Sequence, residues 1–204
     1  MAFTDIKIRS FTGKHFKEFI PCIARLRSDI FREYPYLLER SIEEEKQRLK
    51  HYAEHHEAIA VLIFEGSTIV GASTGIPLIY EKKERQKILI EKQLNPAVIF
   101  HFDVSVLLKQ YRGRGIGHHF FDLREEHVKA LGSFQYTCFF DVDYSEYSSV
   151  KPSPDYLSLH HFWRQRGYVH HPDIVQHIDW KDHKEITGKK LSCWLKALCE
   201  YSLS

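Results

Sequence analysis

The segment Val104-Ser-Val-Leu-Leu-Lys-Gln-Tyr-Arg-Gly-Arg-Gly-Ile-Gly117 carries the most informative local pattern in the chain. Its first half is apolar and typical of a strand, whereas glycine occupies three alternate positions in its second half, at Gly113, Gly115 and Gly117. A helical pattern of apolar residues follows at once and continues to Leu131. The stretch therefore predicts a strand, a glycine-rich loop and the first turn of a helix.

This predicted loop has the features of an anion-binding site. Glycine lets the backbone turn tightly and approach a ligand without a Cβ atom in the way. Free amides at a helix N-terminus, with the helix dipole behind them, attract phosphate groups, and Arg112 and Arg114 add positive charge beside them. The glycine spacing matches neither the nucleotide P-loop nor the dinucleotide-binding fingerprint. We therefore expect a phosphate or pyrophosphate ligand of another class.

Strands and helices alternate along the rest of the chain in a pattern typical of a mixed sheet. A hairpin is predicted within Ala58–Ile76, and the capping box Ser41-Ile-Glu-Glu44 opens a charged helix. Two further strands are predicted near Val175–Trp180 and Leu191–Leu198. Because hairpins occur at both ends of the chain while strands and helices are interleaved between them, we expect an α/β fold of the α+β type.

Length and composition exclude several classes of protein. A chain of 204 residues predicts a single domain over 1–204. The formal charge of +2 gives no electrostatic indication of a nucleic-acid partner. The longest apolar run, Ala58–Phe64, is far shorter than the roughly 20 residues that cross a membrane, and the first residues lack an apolar signal core. The four cysteines form no C-x-x-C pair and indicate reduced core thiols in a cytoplasmic protein.

Fourteen histidines raise the question of a metal site. Zinc ligands on a helix normally lie three or four residues apart. Adjacent residues on a helix or strand point in different directions, so the four adjacent pairs favour surface and interface histidines and we expect no metal. The pairs are His55-His56, His118-His119, His160-His161 and His170-His171.

Two motifs together resemble a known superfamily. Gln110, Gly113 and Gly115 form a Gln-x-x-Gly-x-Gly pattern that resembles the coenzyme A pyrophosphate loop of the GNAT N-acetyltransferases. The segment Phe162-Trp-Arg-Gln-Arg-Gly-Tyr168 is similar to the second signature of that superfamily, a short helix followed by glycine and an aromatic residue. The predicted order of elements agrees with the family, and the resemblance is sharpest over Ile99–Tyr168. The tail and the segment after the first helix also look like one subgroup of these proteins.

The resemblance implies the GNAT fold, with a central mixed, mostly antiparallel twisted sheet that is flanked by helices and splayed between its two middle strands. It implies acetyl-CoA as cosubstrate, with the acyl-pantetheine arm lying between the splayed strands. A primary amine of a small molecule or peptide would attack the thioester directly, in a monomer or a homodimer. By the same resemblance, the residues expected to bind acetyl-CoA are Val106, Leu107, Leu108, Arg112, Gly113, Arg114, Gly115, Ile116 and Gly117.

The short helix departs from the family where a proton donor is expected. The family often has a tyrosine four residues before the glycine of the second signature, and this chain has Trp163, which cannot protonate a thiolate. Tyr156, His160 and Trp163 would lie on one helix face. We therefore expect Tyr156, His160 or water to donate the proton, although packing or surface roles are an equal alternative for both side chains.

Two strand carboxylates are candidates for the general base. Asp103 and Asp141 fall within predicted strands, where an unpaired charge is costly unless it serves a purpose. The alternative is that both face water at strand ends. Cys138 suggests an acyl-cysteine route, but the sequence places no base beside it, which favours a buried thiol.

Two other classes of function remain open at this level. The first is a GNAT-fold module that binds CoA without turnover, as a sensor or partner domain, which the replacement at Trp163 favours. The second is a nucleic-acid binder built around Arg112 and Arg114, which the near-neutral charge disfavours.

The segment Leu78–Pro96 predicts a helical insertion between two strands of the sheet. It is rich in Glu, Lys and Arg, whereas most connections in compact domains run about 4 to 6 residues. Ile88, Leu89 and Leu94 are apolar and available to dock. The insertion is either a lid that helps to choose the acceptor or a solvated helix that only covers a sheet edge.

Overall fold

All described strands belong to one sheet. The computed structural model describes residues 5–33, 36, 38–142, 159–181 and 186–198, and within them seven strands run in the order β1-β2-β3-β4-β5-β7-β6. Neighbouring strands are antiparallel except β4 and β5, which are parallel, so the predicted mixed, mostly antiparallel sheet is confirmed. The strands are β1 (Ile6–Thr12), β2 (Ile59–Glu65), β3 (Thr68–Pro77), β4 (Ile99–Leu107), β5 (Tyr136–Val142), β6 (Val169–Lys181) and β7 (Ile186–Ala197).

Helices cover both faces of the sheet. One apolar core lies between α1, α2 and side chains such as Ala60 and Leu62, and a second lies between α4 and side chains such as Val61 and Ile63. Consecutive residues of β2 serve opposite cores because side chains alternate along a strand. The helices of the described residues are α1 (Ile20–Phe31), α2 (Ile42–Ala53), α3 (Lys83–Ile90), α4 (Ile116–Leu131) and α5 (His160–Gln165).

The starts of the first two helices follow their local sequence. A 3₁₀ segment over Gly13–Phe19 leads into α1, and Pro21 lies in the first turn of α1, where its missing N–H costs nothing. At the start of α2, Ser41 accepts from the backbone N–H of Glu44, and the Glu44 carboxylate accepts from the backbone N–H of Ser41. The predicted capping box is confirmed.

The two middle strands separate after a short parallel contact. The described part of β4 pairs with β5 only from Ile99 to His101, opposite Tyr136 to Cys138. Beyond these positions β4 continues to Leu107 and β5 to Val142 without pairing to each other. The predicted splay is therefore present, and it opens towards the C-terminal ends of both strands.

A bulge in β4 lies at the start of this opening. Ser73 pairs with Ser105 and Gly75 pairs with Phe102, so Asp103 and Val104 both lie opposite Thr74. The extra residue in β4 turns the Asp103 side chain towards the α1–α2 face, while Phe102 packs under α4.

The segment between β3 and β4 contains α3, with 3₁₀ turns on either side over Leu78–Tyr80 and Pro96–Val98. It packs on the same face as α1 and α2, over the other half of the sheet. Leu78 and Leu89 are fully buried there against residues of β4, β5, β6 and β7. The interpretation of this segment as a helix that covers only a sheet edge is therefore wrong, because it covers a sheet face.

Two expectations need further correction. The late strands β6 and β7 are longer than the sequence predicted, because their hairpin continues well beyond the apolar runs. Cys138 and Cys193 are buried free thiols as expected, but Cys22 is exposed on α1. Cys199 lies outside the described residues.

Candidate active site

The glycine loop joins the end of β4 to α4. Gly113 and Gly115 have φ angles of +74° and +77°, in the left-handed region where residues with a Cβ are strained. A Cβ built on either glycine meets no atom of the described residues within 4 Å. Glycine is therefore required at both positions by backbone conformation, and the space above the loop is open.

The loop presents the N-terminus of a long helix to that open space. Gly115 is the N-cap residue of α4, which has 16 residues, and no side chain of the described residues caps it. The first amides of a helix have no acceptor within the helix, and the helix dipole makes this end positive. Gly117 differs from the other two glycines, because a Cβ there would contact the Phe162 ring of α5 at 3.8 Å. Phe162 of α5 therefore lies beside the first turn of α4.

Side chains fix the loop in place. The Arg112 Nε donates to the carbonyl of Leu107 at 2.9 Å, and its Nη2 contacts Glu33 at 3.2 Å. The guanidinium of Arg114 lies 5.6 Å from the centre of the Tyr111 ring, and the Tyr111 hydroxyl donates to Glu65 at 2.6 Å. Both arginines therefore stay beside the helix N-terminus, where the sequence placed them.

The register of β4 determines which main-chain groups face the splay. The Leu108 N–H donates to the Val70 carbonyl, so the pair formed by Val106 and Ala72 is also a hydrogen-bonded pair. The alternate residues Ser105 and Leu107 consequently direct their main-chain groups away from β3 and into the splay. The amide of Val106 faces β3 and is therefore not directed into the splay.

On the α1–α2 face, Asp103 lies at the centre of a buried ionic network. Its Oδ2 accepts from Arg27 Nη2 at 2.9 Å, and its Oδ1 accepts from Arg48 Nη2 at 2.7 Å. Burial raises the pKa of Asp103, but the charges of Arg48 and Arg27 outweigh burial and hold that pKa well below its ordinary value. A carboxylate held in this way is a weak proton acceptor.

Two further residues of this network, like its arginines, were not singled out from the sequence. Glu81 and His101 are both buried, and the Glu81 Oε1 lies 3.0 Å from the His101 Nδ1 and accepts from the Tyr52 hydroxyl. Arg48 and Arg85 contact the same carboxylate at 3.3 Å. The signal for His101 was its spacing of two residues from Asp103 in one strand, whereas Glu81 gave no local signal.

The protonation states of this pair follow from their neighbours. Burial, together with the charge of Arg85, lowers the pKa of His101, so that its ring is neutral at neutral pH. Burial raises the pKa of Glu81, but His101 and Arg48 outweigh burial and hold it well below its ordinary value. The neutral ring therefore donates from Nδ1 to the ionised carboxylate, while its Nε2 faces the Arg85 Nη1 at 3.3 Å.

The side chains of Glu81, His101 and Asp103 have a spacing that would suit a metal ion. The ligand atoms of Glu81, His101 and Asp103 lie within 4.8 Å of one another. However, Arg48 and Arg85 already contact the two carboxylates, and their positive charges disfavour a cation. This cluster includes none of the adjacent histidine pairs.

The remaining catalytic candidates lie on the opposite face of the sheet. The His160 Nε2, at the start of α5, lies 3.8 Å from the Asp141 Oδ2 on β5, and both side chains are partly exposed. Trp163 is buried against Phe139 and the His160 ring. Tyr156 lies outside the described residues. The structure thus brings Asp141 and His160 together and separates them from Asp103, which is on the other face.

The insertion forms one wall on the Asp103 side. Arg85 on α3 donates to Gln176 of β6 at 2.9 Å, and its guanidinium lies 5.3 Å from the centre of the Phe140 ring on β5. Lys92 contacts Asp173 at 2.8 Å. These contacts attach the insertion to the far half of the sheet, beside the point where β4 and β5 separate. A role in choosing an acceptor stays a prediction.

Comparisons with known proteins bear on this arrangement through structure alone. No protein-family model matches the sequence, and no curated protein matches it. Solved structures do match it over nearly the whole chain. An acetyltransferase of the GNAT family from Streptococcus pneumoniae is 14% identical with a TM-score of 0.58, and the match covers 95% of this chain and 99% of that one.

Two further structures give the same result. The yncA protein of Salmonella typhimurium, solved with its cofactor acetyl-CoA, is 10% identical with a TM-score of 0.61 over 97% of this chain and 96% of that one. The ribosomal-protein-alanine N-acetyltransferase of Brucella melitensis is 12% identical with a TM-score of 0.60 over 94% and 99%. At these identities the likeness concerns the fold, and the chain has the fold of the GNAT acetyltransferases. No described helix is long and apolar enough to span a membrane.

Proposed function

We propose that this protein is an acetyl-CoA-dependent N-acetyltransferase that moves an acetyl group to a primary amine of a small molecule or peptide by direct attack. The observation that carries the proposal is the loop at the N-terminus of α4, with Gly113 and Gly115 in left-handed conformation, directly beside the splay of β4 and β5. The helix N-terminus suits the phosphate groups of a ligand, and the unpaired strand edge suits an extended arm whose amides form hydrogen bonds.

Each part of the proposed cosubstrate site has residues that fit it. The amides that begin α4, with Arg112 and Arg114 beside them, suit the pyrophosphate. The main-chain groups of Ser105 and the N–H of Leu107 face the splay and suit the arm and the thioester oxygen, while the Leu107 carbonyl accepts from Arg112. Acetyl-CoA is therefore the cosubstrate that we propose, and it supplies an activated acyl group to the amine.

The amine is proposed to arrive from the α1–α2 face. A cleft of about 1050 Å³ opens there, bordered by Arg48, Tyr52 and Glu81. Since the pKa of Asp103 is held low by its two arginines, we assign Asp103 the role of positioning this network and not that of the general base. On the opposite face we assign proton donation to His160, with Asp141 orienting its ring.

A second candidate function is a CoA-binding module without turnover, which the tryptophan at position 163 favours. Release of free CoA thiol in the presence of acetyl-CoA and a panel of primary amines separates the two. An enzyme releases thiol with at least one amine above the rate of hydrolysis. Binding of acetyl-CoA by calorimetry without amine-dependent thiol release in any member of a broad panel would favour the module.

The proposed proton donor can be tested directly. His160→Ala is expected to lower kcat roughly tenfold or more, because general acid catalysis contributes at least that much, while the affinity for acetyl-CoA stays within about twofold. His161→Ala is the matched control, since His161 is adjacent on α5 and exposed. An unchanged kcat in His160→Ala, and in its combination with Tyr156→Phe, would remove both residues from the mechanism.

A further inference from the structure

The cleft on the α1–α2 face adjoins a buried ionic network that has an excess of positive charge. This network contains four guanidinium groups but three carboxylates, joined by contacts of 2.7 to 3.3 Å. Among the described residues at the rim of the cleft, three side chains are positive and three are negative. The network consists of Arg27, Arg40, Arg48 and Arg85 with Glu45, Glu81 and Asp103. Of these, Arg40, Arg48, Glu45 and Glu81 line the cleft, whose rim adds Arg32, Lys82 and Lys83 with Glu39, Glu44 and Asp179.

The inner part of this network lies in a dry environment, whereas Arg48 and Arg40 are 21% and 31% exposed. Arg27 and Glu45 have side chains only 1% exposed, and Asp103 and Glu81 only 6% and 4%. Tyr52 cannot offset the charge as a phenolate, because burial raises its pKa well above the ordinary value. His101 is neutral for the reason given above. A buried guanidinium without a matching anion is costly, so the cleft favours a ligand that supplies a negative charge.

Two guanidinium groups of the network, those of Arg48 and Arg40, line the cleft and are placed to bind that charge. The guanidinium of Arg48 makes its hydrogen bonds to Tyr52, Glu81 and Asp103 from one atom, Nη2. Its Nε and the Nη1 of Arg27 are buried without a hydrogen-bond partner among the described residues. Buried donors in native proteins are nearly always satisfied, and Arg48 borders the cleft together with the partly exposed Arg40.

We infer that the acceptor of the proposed acetyl transfer carries a carboxylate close to its amine, as a free amino acid does, and that Arg48 with Arg40 binds this carboxylate in the cleft. This inference rests on the proposed function. Arg48 is one ion pair, of 2.7 Å, away from Asp103, which lies in the bulge of β4 at the start of the splay. A carboxylate held at Arg48 therefore leaves only a short distance for the amine to reach the splay, which suits an α-amino acid better than a long polyamine.

The inference is tested with matched pairs of amines that differ only in the carboxylate, tyrosine with tyramine and tryptophan with tryptamine. A charged hydrogen-bonded contact predicts that kcat/KM is about tenfold or more higher for the amino acid of each pair. Aminoethylphosphonate and β-alanine form a further pair that distinguishes a phosphonate from a carboxylate. Equal kcat/KM within the pairs, or preference for the decarboxylated amine, overturns the inference.

Variants locate the contact. Arg48→Met should lower kcat/KM for the amino acid about tenfold more than for the decarboxylated amine, so that the preference is lost, and Arg48→Lys should retain part of the preference. Arg40→Gln gives a second test should Arg48→Met fail to fold. Arg40 is partly exposed, and among the described carboxylates it contacts only Glu45. Lys46→Gln is the matched control, because Lys46 lies on α2 and faces the other groove with Glu43. Equal losses for both amines in the Arg48 variants contradict the assignment.

Direct binding separates the inference from the proposed function. Calorimetric titration of tyrosine and tyramine into the protein saturated with CoA requires no turnover. Tighter binding of tyrosine that is lost in Arg48→Met supports the carboxylate site even if no thiol is released. Failure of acetyl-CoA itself to bind would instead contradict the proposed function, and absence of any preference for tyrosine would contradict the carboxylate site.

Discussion

Replacement of Gly115 by glutamate is expected to abolish measurable acetyl-CoA binding, with a loss of about 100-fold or more in affinity. Gly115 has a φ of +77° and is the N-cap residue of α4, so the new carboxylate would lie beside amides that are proposed to bind pyrophosphate. Like charges in direct contact cost several kcal/mol at an interface. Calorimetry with acetyl-CoA measures the effect, and affinity equal to that of the parent protein would place the cosubstrate elsewhere.

A matched control separates backbone strain from ligand repulsion. Gly132, at the other end of the same helix, has a φ of +72° and the same open surroundings. Gly132→Glu should therefore suffer comparable strain of the backbone, on the order of 1 kcal/mol, yet keep its affinity for acetyl-CoA. An equal loss of affinity in both variants would mean that the loss reflects damage to α4.

Substitution of Asp103 by asparagine is expected to lower the free energy of unfolding by about 3 kcal/mol or more. The side chain is nearly the same size, but Arg27 and Arg48 lose the carboxylate that they share. Removing one partner of a buried ion pair leaves the other charge buried and unpaired, which destabilises the protein far more than replacing the whole pair with apolar residues. Urea unfolding measures the change, and Asp5→Asn, which removes an exposed carboxylate 3.6 Å from Lys7, is the control that should change little.

The same residue makes stability depend on pH in a defined direction. The folded-state pKa of Asp103 lies below its value in the unfolded chain, so its contribution is fully present above about pH 5 and is lost as the pH falls through and below about 4. The difference in unfolding free energy between the parent protein and Asp103→Asn should therefore shrink on acidification. A difference that is independent of pH, or that grows below pH 4, would contradict the buried ion pairs.

Much of the fold was accessible to local sequence reasoning because its signals are local. The capping box at Ser41 and Glu44, the hairpin of β2 and β3, and the glycine turn before α4 each depend on residues within a few positions of one another. The long hairpin of β6 and β7 was underestimated, since His170 and Asp173 interrupt the apolar pattern while the backbone still pairs or continues as strand.

The candidate site also has one part that depends on local sequence and one part that depends on distant residues. The loop at Gly113 and Gly115 is contiguous in sequence and could be recognised, whereas the ionic network joins residues from α1, α2, β4 and the start of the insertion. Arg27 and Asp103 are 76 positions apart, and Arg48 and Asp103 are 55 apart. The sequence showed that a carboxylate at Asp103, within a strand, would require a stabilising partner. No periodic or spacing pattern indicated that two arginines provide it. Only the packing of both helices on the sheet reveals that Asp103 is paired.

Hydrogen exchange on addition of acetyl-CoA tests the central claim most directly, namely that the glycine loop and the splay form the cosubstrate site. The amides of Gly113 to Gly117, with those of Ser105 and Leu107, should become more protected when the ligand is bound, because they are proposed to face the pyrophosphate and the arm. The outer groove between α1 and α2, which includes Lys17 and Lys50, should not change. Saturating acetyl-CoA that leaves the loop and the splay unprotected, or protects the outer groove instead, would contradict the account.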